Sequence, residues 1–229
     1  MGKRWSVATS PAILARIAEQ DAKRGVKVMS RPALLAAAHE LNAPHKAKTE
    51  PSAATKRVKK VGLANQESRK DSVTYDADRN TLTIVLAGAQ LLSHNVASRL
   101  HDAKLTSLKN TWLKRMQALM LTNMATYDTW KLNQGRAFPL IIEEVYASGE
   151  SALLDVEAVV AACKPIVDAL VRTRFLPDDK PAYIAQPIAF TYRQPNRGLV
   201  LVLRPAPKPW GEIFDSTMEQ ARLIPVLSK

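Results

Sequence analysis

The chain has 229 residues, of which 46% are apolar, and its 33 Lys and Arg outnumber its 21 Asp and Glu for a formal net charge of +12. That apolar share is enough for a packed core in one domain with an appendage or in two small ones, and the charge favours a polyanionic partner. A single cysteine, Cys163, excludes an intrachain disulfide and a cysteine-built zinc site, and no apolar run reaches the roughly 18 residues a membrane span needs. The N-terminus MGKRWSVATS also lacks the apolar centre of a secretory signal, so a soluble protein of the reducing cytoplasm, with no membrane partner, is expected.

The charge is unevenly placed. Residues 1–72 hold 15 of the Lys and Arg and only 6 of the acids. Ser10-Pro11 and Ser30-Arg31-Pro32 are helix starts, and the apolar spacing after each predicts two short helices within residues 1–44. Residues 45–72 have few large apolar groups and many lysines, which predicts a basic flexible linker. Within it Lys56, Arg57, Lys59 and Lys60 read either as an arm that contacts DNA phosphates or as a solvated linker.

The expected main domain, residues 73–205, is α/β in the α+β sense: a small mixed β-sheet with two helices packed on it. A turn at Asp78 to Asn80 leads into a β-branched strand over Thr81 to Leu86. Gly88 to Arg99 reads as a loop, with His94 in it and His101 as a surface or capping residue. Lys104 to Thr122 is an amphipathic helix with Trp112 in the apolar stripe, and Lys109, Lys114 and Arg115 on the basic side. Asn123 to Arg136 reads as a loop containing Trp130. Ala137 to Ala147 predicts a strand in which Glu143 and Glu144 are structural or solvent-facing. Tyr183 to Arg193 and Gly198 to Arg204 read as two strands joined by hairpin chemistry at Gln194 to Gly198. The tail, residues 206–229, is expected to pack as a short helix on the domain or on a partner subunit.

Between these strands the chain reads LLDVEAVVAACKPIVDALVRTRFLPDDKPAYI, from Leu153 to Ile184. Asp155 and Glu157 share one side of an extended segment but not of a helix, so a joint metal site requires the helix to start after them. Asp155 also suits a helix N-cap, and Glu157 a first turn. Pro165 predicts a kink or restart. An unbroken helix from Glu157 to Thr173 would be about 24 Å long and carry Asp179 far from Asp155 unless the chain folds back. Asp178 and Asp179 after Pro177 are also ordinary turn chemistry.

An acid-x-acid pair, a lysine on an apolar helix, an aspartate four residues later, then Leu-Pro-Asp-Asp and a strand: this order resembles RusA-like Holliday junction resolvases, and most of all a longer phage-type branch. In that branch the second acid precedes the lysine by seven residues, as Glu157 precedes Lys164. The likeness runs from about Val73 to Pro205 and includes the Ser-x-Asn element Ser93 to Asn95. It implies a homodimeric, Mg²⁺-dependent endodeoxyribonuclease that resolves four-way junctions or other branched DNA in recombination and repair, with no small-molecule cofactor.

The resemblance makes Asp155, Glu157 and Asp179 metal-site carboxylates and Lys164 a catalytic contact to phosphate or water. Asp168 and Asp178 would support them, while Ser93, Asn95 and Lys109 would approach DNA. Asp179 would serve its own site or that of the partner subunit. The family usually has aspartate and asparagine where this chain has Glu157 and Ala158, which leaves a second reading: a relative that binds branched or duplex DNA without cutting it.

Overall fold

The computed structural model describes residues 53–149 and 153–224. The chain divides into residues 1–50 and 51–229, and only the second unit is described below. The two helices expected within residues 1–44 lie outside the described residues.

The elements in chain order are α1 (Ala53–Ala64), β1 (Ser72–Asp76), β2 (Thr81–Ala87), α2 (His94–Ala97), α3 (Asp102–Thr122), α4 (Met124–Asn133), β3 (Leu140–Ser148), α5 (Val156–Arg172), β4 (Ile184–Arg193), β5 (Gly198–Pro205) and α6 (Asp215–Arg222). They build a mixed five-stranded sheet in the order β1-β2-β5-β3-β4, in which only the β3–β4 pair is parallel.

Strict alternation sets the two faces of the sheet. Leu82, Ile84 and Leu86 of β2 and Leu199, Leu201 and Leu203 of β5 point to one side and are completely buried. Trp112, Met116 and Leu119 of α3 and Val159, Ile166 and Leu170 of α5 join them in one core. The β1–β2 turn closes where the Asp76 carboxylate accepts from the backbone N–H groups of Asp78 and Arg79, with Asn80 in the left-handed region at φ 49°.

Strands β4 and β5 do not form the expected hairpin, because β3 lies between them and pairs with both. Leu140, Ile141 and Ile142 are buried on both faces, as suits a central strand. The link from β4 to β5 therefore crosses the end of β3, where the Gln194 N–H donates to the Ser148 carbonyl. Gly198 ends this crossing, and a Cβ there would stand 3.0 Å from the Leu86 carbonyl oxygen.

Where a flexible linker was expected, residues Ala53–Ala64 form a helix. Val58 and Val61 are three residues apart, so they share one face and pack with Leu92, Val96, Ala97, Leu100 and Leu108. Lysine and arginine propagate a helix well, so a basic composition did not prevent it. The loop expected at 123–136 is mostly α4, and Trp130 is buried there with its indole N–H donating 2.7 Å to the Phe175 carbonyl. The tail does form a short helix, α6, which has no buried residues.

Arg115 also departs from its expected place on a basic surface. Its guanidinium grips Asp71 with two 2.7 Å bonds and donates another to the Ala87 carbonyl, and each ion-pair side chain is only 1% exposed. Asn65 completes the network through two bonds with the Gln90 backbone. This cluster ties the segments after α1 and β2 to α3.

Candidate functional site

The helix that follows β3 positions most of the singled-out residues. Asp155 is its N-cap, in extended conformation, and its carboxylate accepts a 2.6 Å bond from the Ala158 N–H. That bond satisfies one of the free N–H groups of the first turn. The helix begins at Val156, so Glu157 already lies in the first turn and not on an extended segment. Both acids are exposed at the positive end of the helix dipole.

Pro165 does not interrupt the helix, which continues to Arg172. There Thr173 turns its hydroxyl back to the Ala169 carbonyl, and Arg174 adopts φ 62°. Phe175 and Leu176 then bury themselves in the core, which reverses the chain. The reversal brings Asp179 back alongside the middle of α5, where its carboxylate is ion-paired with Lys164. Asp168, one turn on from Lys164, holds the same ammonium at 3.0 Å. The hydrogen bond that the Lys164 ammonium donates to Asp179, and the weaker pull of Asp168, hold that ammonium above its ordinary pKa. Asp178 pairs instead with Lys180 at 2.7 Å and accepts from the Asp179 N–H, and the Lys180 bond holds its pKa below the usual range.

Lys164, Asp168 and Asp179 thus form one cluster, and Asp178 stands beside it. A hollow of about 300 Å³ between α3 and α5 is lined by Lys109, Asp168, Arg172 and Asp179, so Lys109 belongs to the same neighbourhood. Asp155 and Glu157 stand apart from it. Nine residues separate Asp155 from Lys164, about 13 Å of helix rise. Among the described residues, no three His, Cys, Asp or Glu side chains gather closely enough to hold a metal ion. Asp155, Glu157 and Asp179 of this chain are therefore not a single donor set. Because the helix starts before Glu157, the condition for a joint site of Asp155 and Glu157 is not met either; Mg²⁺ commonly uses one or two carboxylates together with substrate phosphate oxygens, and the exposed Asp155 carboxylate fits that habit singly.

The basic residues of α1 meet the other end of α5. Lys56, Arg57 and Lys60 line a hollow of about 360 Å³ together with Tyr146, Ser148 and Leu154, the residue before Asp155. Lys59 is exposed on the same helix. Ser93 precedes α2 and its carbonyl accepts from the Val96 and Ala97 N–H groups, while Asn95 is exposed on α2. Because α2 packs on α1 through Val96 and Ala97, the Ser-x-Asn element and the basic helix are neighbours. His101 caps α3, its ring Nδ1 accepting from the Ala103 N–H.

Glu144 is a residue whose environment the sequence did not reveal. It lies on the core face of β3 and is 1% exposed. Burial pushes its carboxyl up to about 8, opposed by a hydrogen bond with Cys163. Burial, with Glu144 alongside, raises the Cys163 thiol well above its ordinary value. One Glu144 oxygen, Oε2, has no hydrogen-bonding partner among the protein atoms. The only sequence signal was an acid at an inward position of an otherwise apolar strand.

No family model matches the chain, and no curated protein matches it either. Among the described residues, no helix is long and apolar enough to cross a membrane.

Proposed function

We propose that the protein is a RusA-like, Mg²⁺-dependent endodeoxyribonuclease that cuts four-way or other branched DNA, as a homodimer in the cytoplasm. The observation that carries this reading is the return of Asp179 to Lys164 across 15 residues of sequence. A lysine on the apolar helix and the second acid of Leu-Pro-Asp-Asp become neighbours, as a shared site for a phosphodiester requires. The hollow lined by Lys56, Arg57 and Lys60 adds a phosphate-binding surface next to Leu154 and hence to Asp155.

In this reading the exposed Asp155 carboxylate at the helix start would hold the metal ion together with oxygens of the substrate phosphate, and the ion when bound supplies activation of water and compensation of charge on the leaving oxygen. Lys164 contacts the scissile phosphate, and Asp168 and Asp179 orient its ammonium. Lys109, on the hollow shared with Asp179, holds the neighbouring backbone. A two-fold dimer presents two such sites to the two symmetric strands of a junction.

A second reading, binding of branched or duplex DNA without cleavage, is favoured by one specific feature. Lys164 is already neutralised by two carboxylates, and the three acids are not one donor set.

A synthetic four-way junction incubated with Mg²⁺ separates the two readings, with linear duplex and Asp155→Asn as controls. Asparagine caps a helix about as well as aspartate, so this substitution removes a charge while retaining the cap. Paired, symmetric nicks lost in the variant support the nuclease. Tight junction binding without nicks, in Mg²⁺ and Mn²⁺ alike, establishes the binder.

A further inference from the structure

Strand alternation gives the sheet a second face, opposite the one that shares its core with α3 and α5. The strand register lines up its side chains in rows across β2, β5, β3 and β4: Val85, Val200, Val145 and Phe190, then Thr83, Val202, Glu143 and Ile188. None of these residues belongs to the buried core, and Phe190 is 60% exposed. Tyr192, the next residue of β4 on this face, stacks its ring on Phe190.

A sheet face that meets water carries polar side chains opposite the buried ones. Strand β1 follows that rule, with Ser72, Thr74 and Asp76 exposed on this side and Val73 buried on the other. The other strands do not. With strands about 4.8 Å apart and about 3.3 Å per residue, the patch spans roughly 300 Å² in projection, the size at which exposed apolar surface marks an interaction site. At one end Glu212 is tied to this face by Gln186 and Arg204, so the exposed Ile213 and Phe214 that follow add apolar surface beside it.

Charge narrows the occupant. Glu143 and Arg204, the charged residues of β3 and β5 on this face, are bonded to each other, so the patch offers no free cation to a polyanion. It is a neutral part of a chain whose net charge is +12, and two copies can face each other there without like charges meeting. A two-fold contact sets each patch against its own equivalent, and the two sheets would stack about 10 Å apart.

We propose that two copies of the chain associate through this open sheet face, with the row of Val85, Val200, Val145 and Phe190 at the centre of the contact. The proposal deepens the reading of the protein as a homodimer and rests on it. Because α5 lies on the opposite face of the sheet, the Lys164 cluster of each copy points away from the contact, and each Asp179 serves its own chain.

The test reads the oligomeric state of the full chain without DNA, by sedimentation at micromolar concentration. The native chain should sediment as two copies. Val200→Lys, which sets two ammonium groups against each other near the two-fold axis, should weaken association by about 100-fold or more while the far-UV circular dichroism spectrum is retained. A second variant needs no dissociation: Val200→Cys should be joined into a covalent dimer by a short bis-maleimide. Leu132→Cys, at an exposed position of α4, should not be joined, and the native Cys163 is buried. A dimer that withstands Val200→Lys and leaves Val200→Cys unlinked overturns this face and leaves the homodimer standing. A native chain that sediments as a monomer overturns the interface and the homodimer together, while junction nicking, measured separately, still decides the nuclease.

Discussion

Lys164, midway along α5, is ion-paired with Asp179, which the chain reversal through Phe175 and Leu176 returns to it. Both side chains are substantially exposed, 56% for Lys164 and 40% for Asp179, so solvent screens the pair and its net contribution is about 0.2–1 kcal/mol. Asp179→Asn should therefore lower stability by less than about 1 kcal/mol. If the cluster serves catalysis, the same substitution removes junction nicking. Urea unfolding beside a nicking assay separates the two effects, and a loss of nicking that merely tracks a loss of fold would count against the assignment.

The Arg115–Asp71 pair differs because both side chains are enclosed. Removing one member leaves a buried charge without its partner, so Asp71→Asn or Arg115→Met should cost about 3–5 kcal/mol in denaturant unfolding. The double replacement Asp71→Leu with Arg115→Met should recover only part of that loss: it removes the unpaired charge but leaves the Ala87 N–H and carbonyl without the partners that Asp71 and Arg115 supply. Single variants as stable as the native chain would show that the pair does not hold the segments after α1 and β2 to α3.

Glu144 makes stability depend on pH in a defined direction. Its carboxyl is raised in the folded protein from 4.5 to about 8. Below the lower value it is protonated in both states. Between the two, the folded state keeps a proton that the unfolded chain releases, so stability falls as pH rises, by at most about 1.4 kcal/mol per unit. Above the upper value the loss is complete. The denaturation midpoint should thus drop between about pH 5 and about pH 8, and Glu144→Gln should flatten this part of the profile. A native profile already flat over that interval would show that Glu144 does not hold its proton.

The basic face of α1 can be tested through salt. Lys56, Arg57 and Lys60 share one hollow, while Val58 and Val61 face the core. Replacing the three with Gln should leave the packing of α1 unchanged and reduce the slope of log affinity against log salt by about 0.9 for each phosphate that α1 no longer neutralises. Titrations of a DNA junction at several salt concentrations read this directly. An unchanged slope would remove α1 from the interface.

Much of the architecture follows from patterns within single segments. The alternation of Leu82, Ile84 and Leu86 and of Leu199, Leu201 and Leu203 identifies two strands with one buried face each, because side chains on a strand alternate with period two. The stripe Trp112, Met116 and Leu119 likewise identifies the packed face of α3. Asp155 could be read as a cap because capping depends on the next three residues alone. In α1, by contrast, the Val58 and Val61 pair was present in the sequence but outweighed by the surrounding lysines, and only the apolar partners supplied by Leu92 and Leu108 make it a packed helix.

By itself, then, the sequence determined the identity of β2, β3, β4 and β5, the packed face of α3, the cap at Asp155 and the excess of positive charge. Tertiary structure alone decided that β3 separates β4 from β5, that Arg115 leaves the basic face to meet Asp71, that Glu144 is sealed under α5, and that Asp179 returns to Lys164 while Asp155 and Glu157 remain at the helix start. The physical reason is range. Periodicity and capping are set by neighbours within one or two turns, whereas the partner of a charge or the position of a strand depends on which distant surfaces bury the most apolar area together.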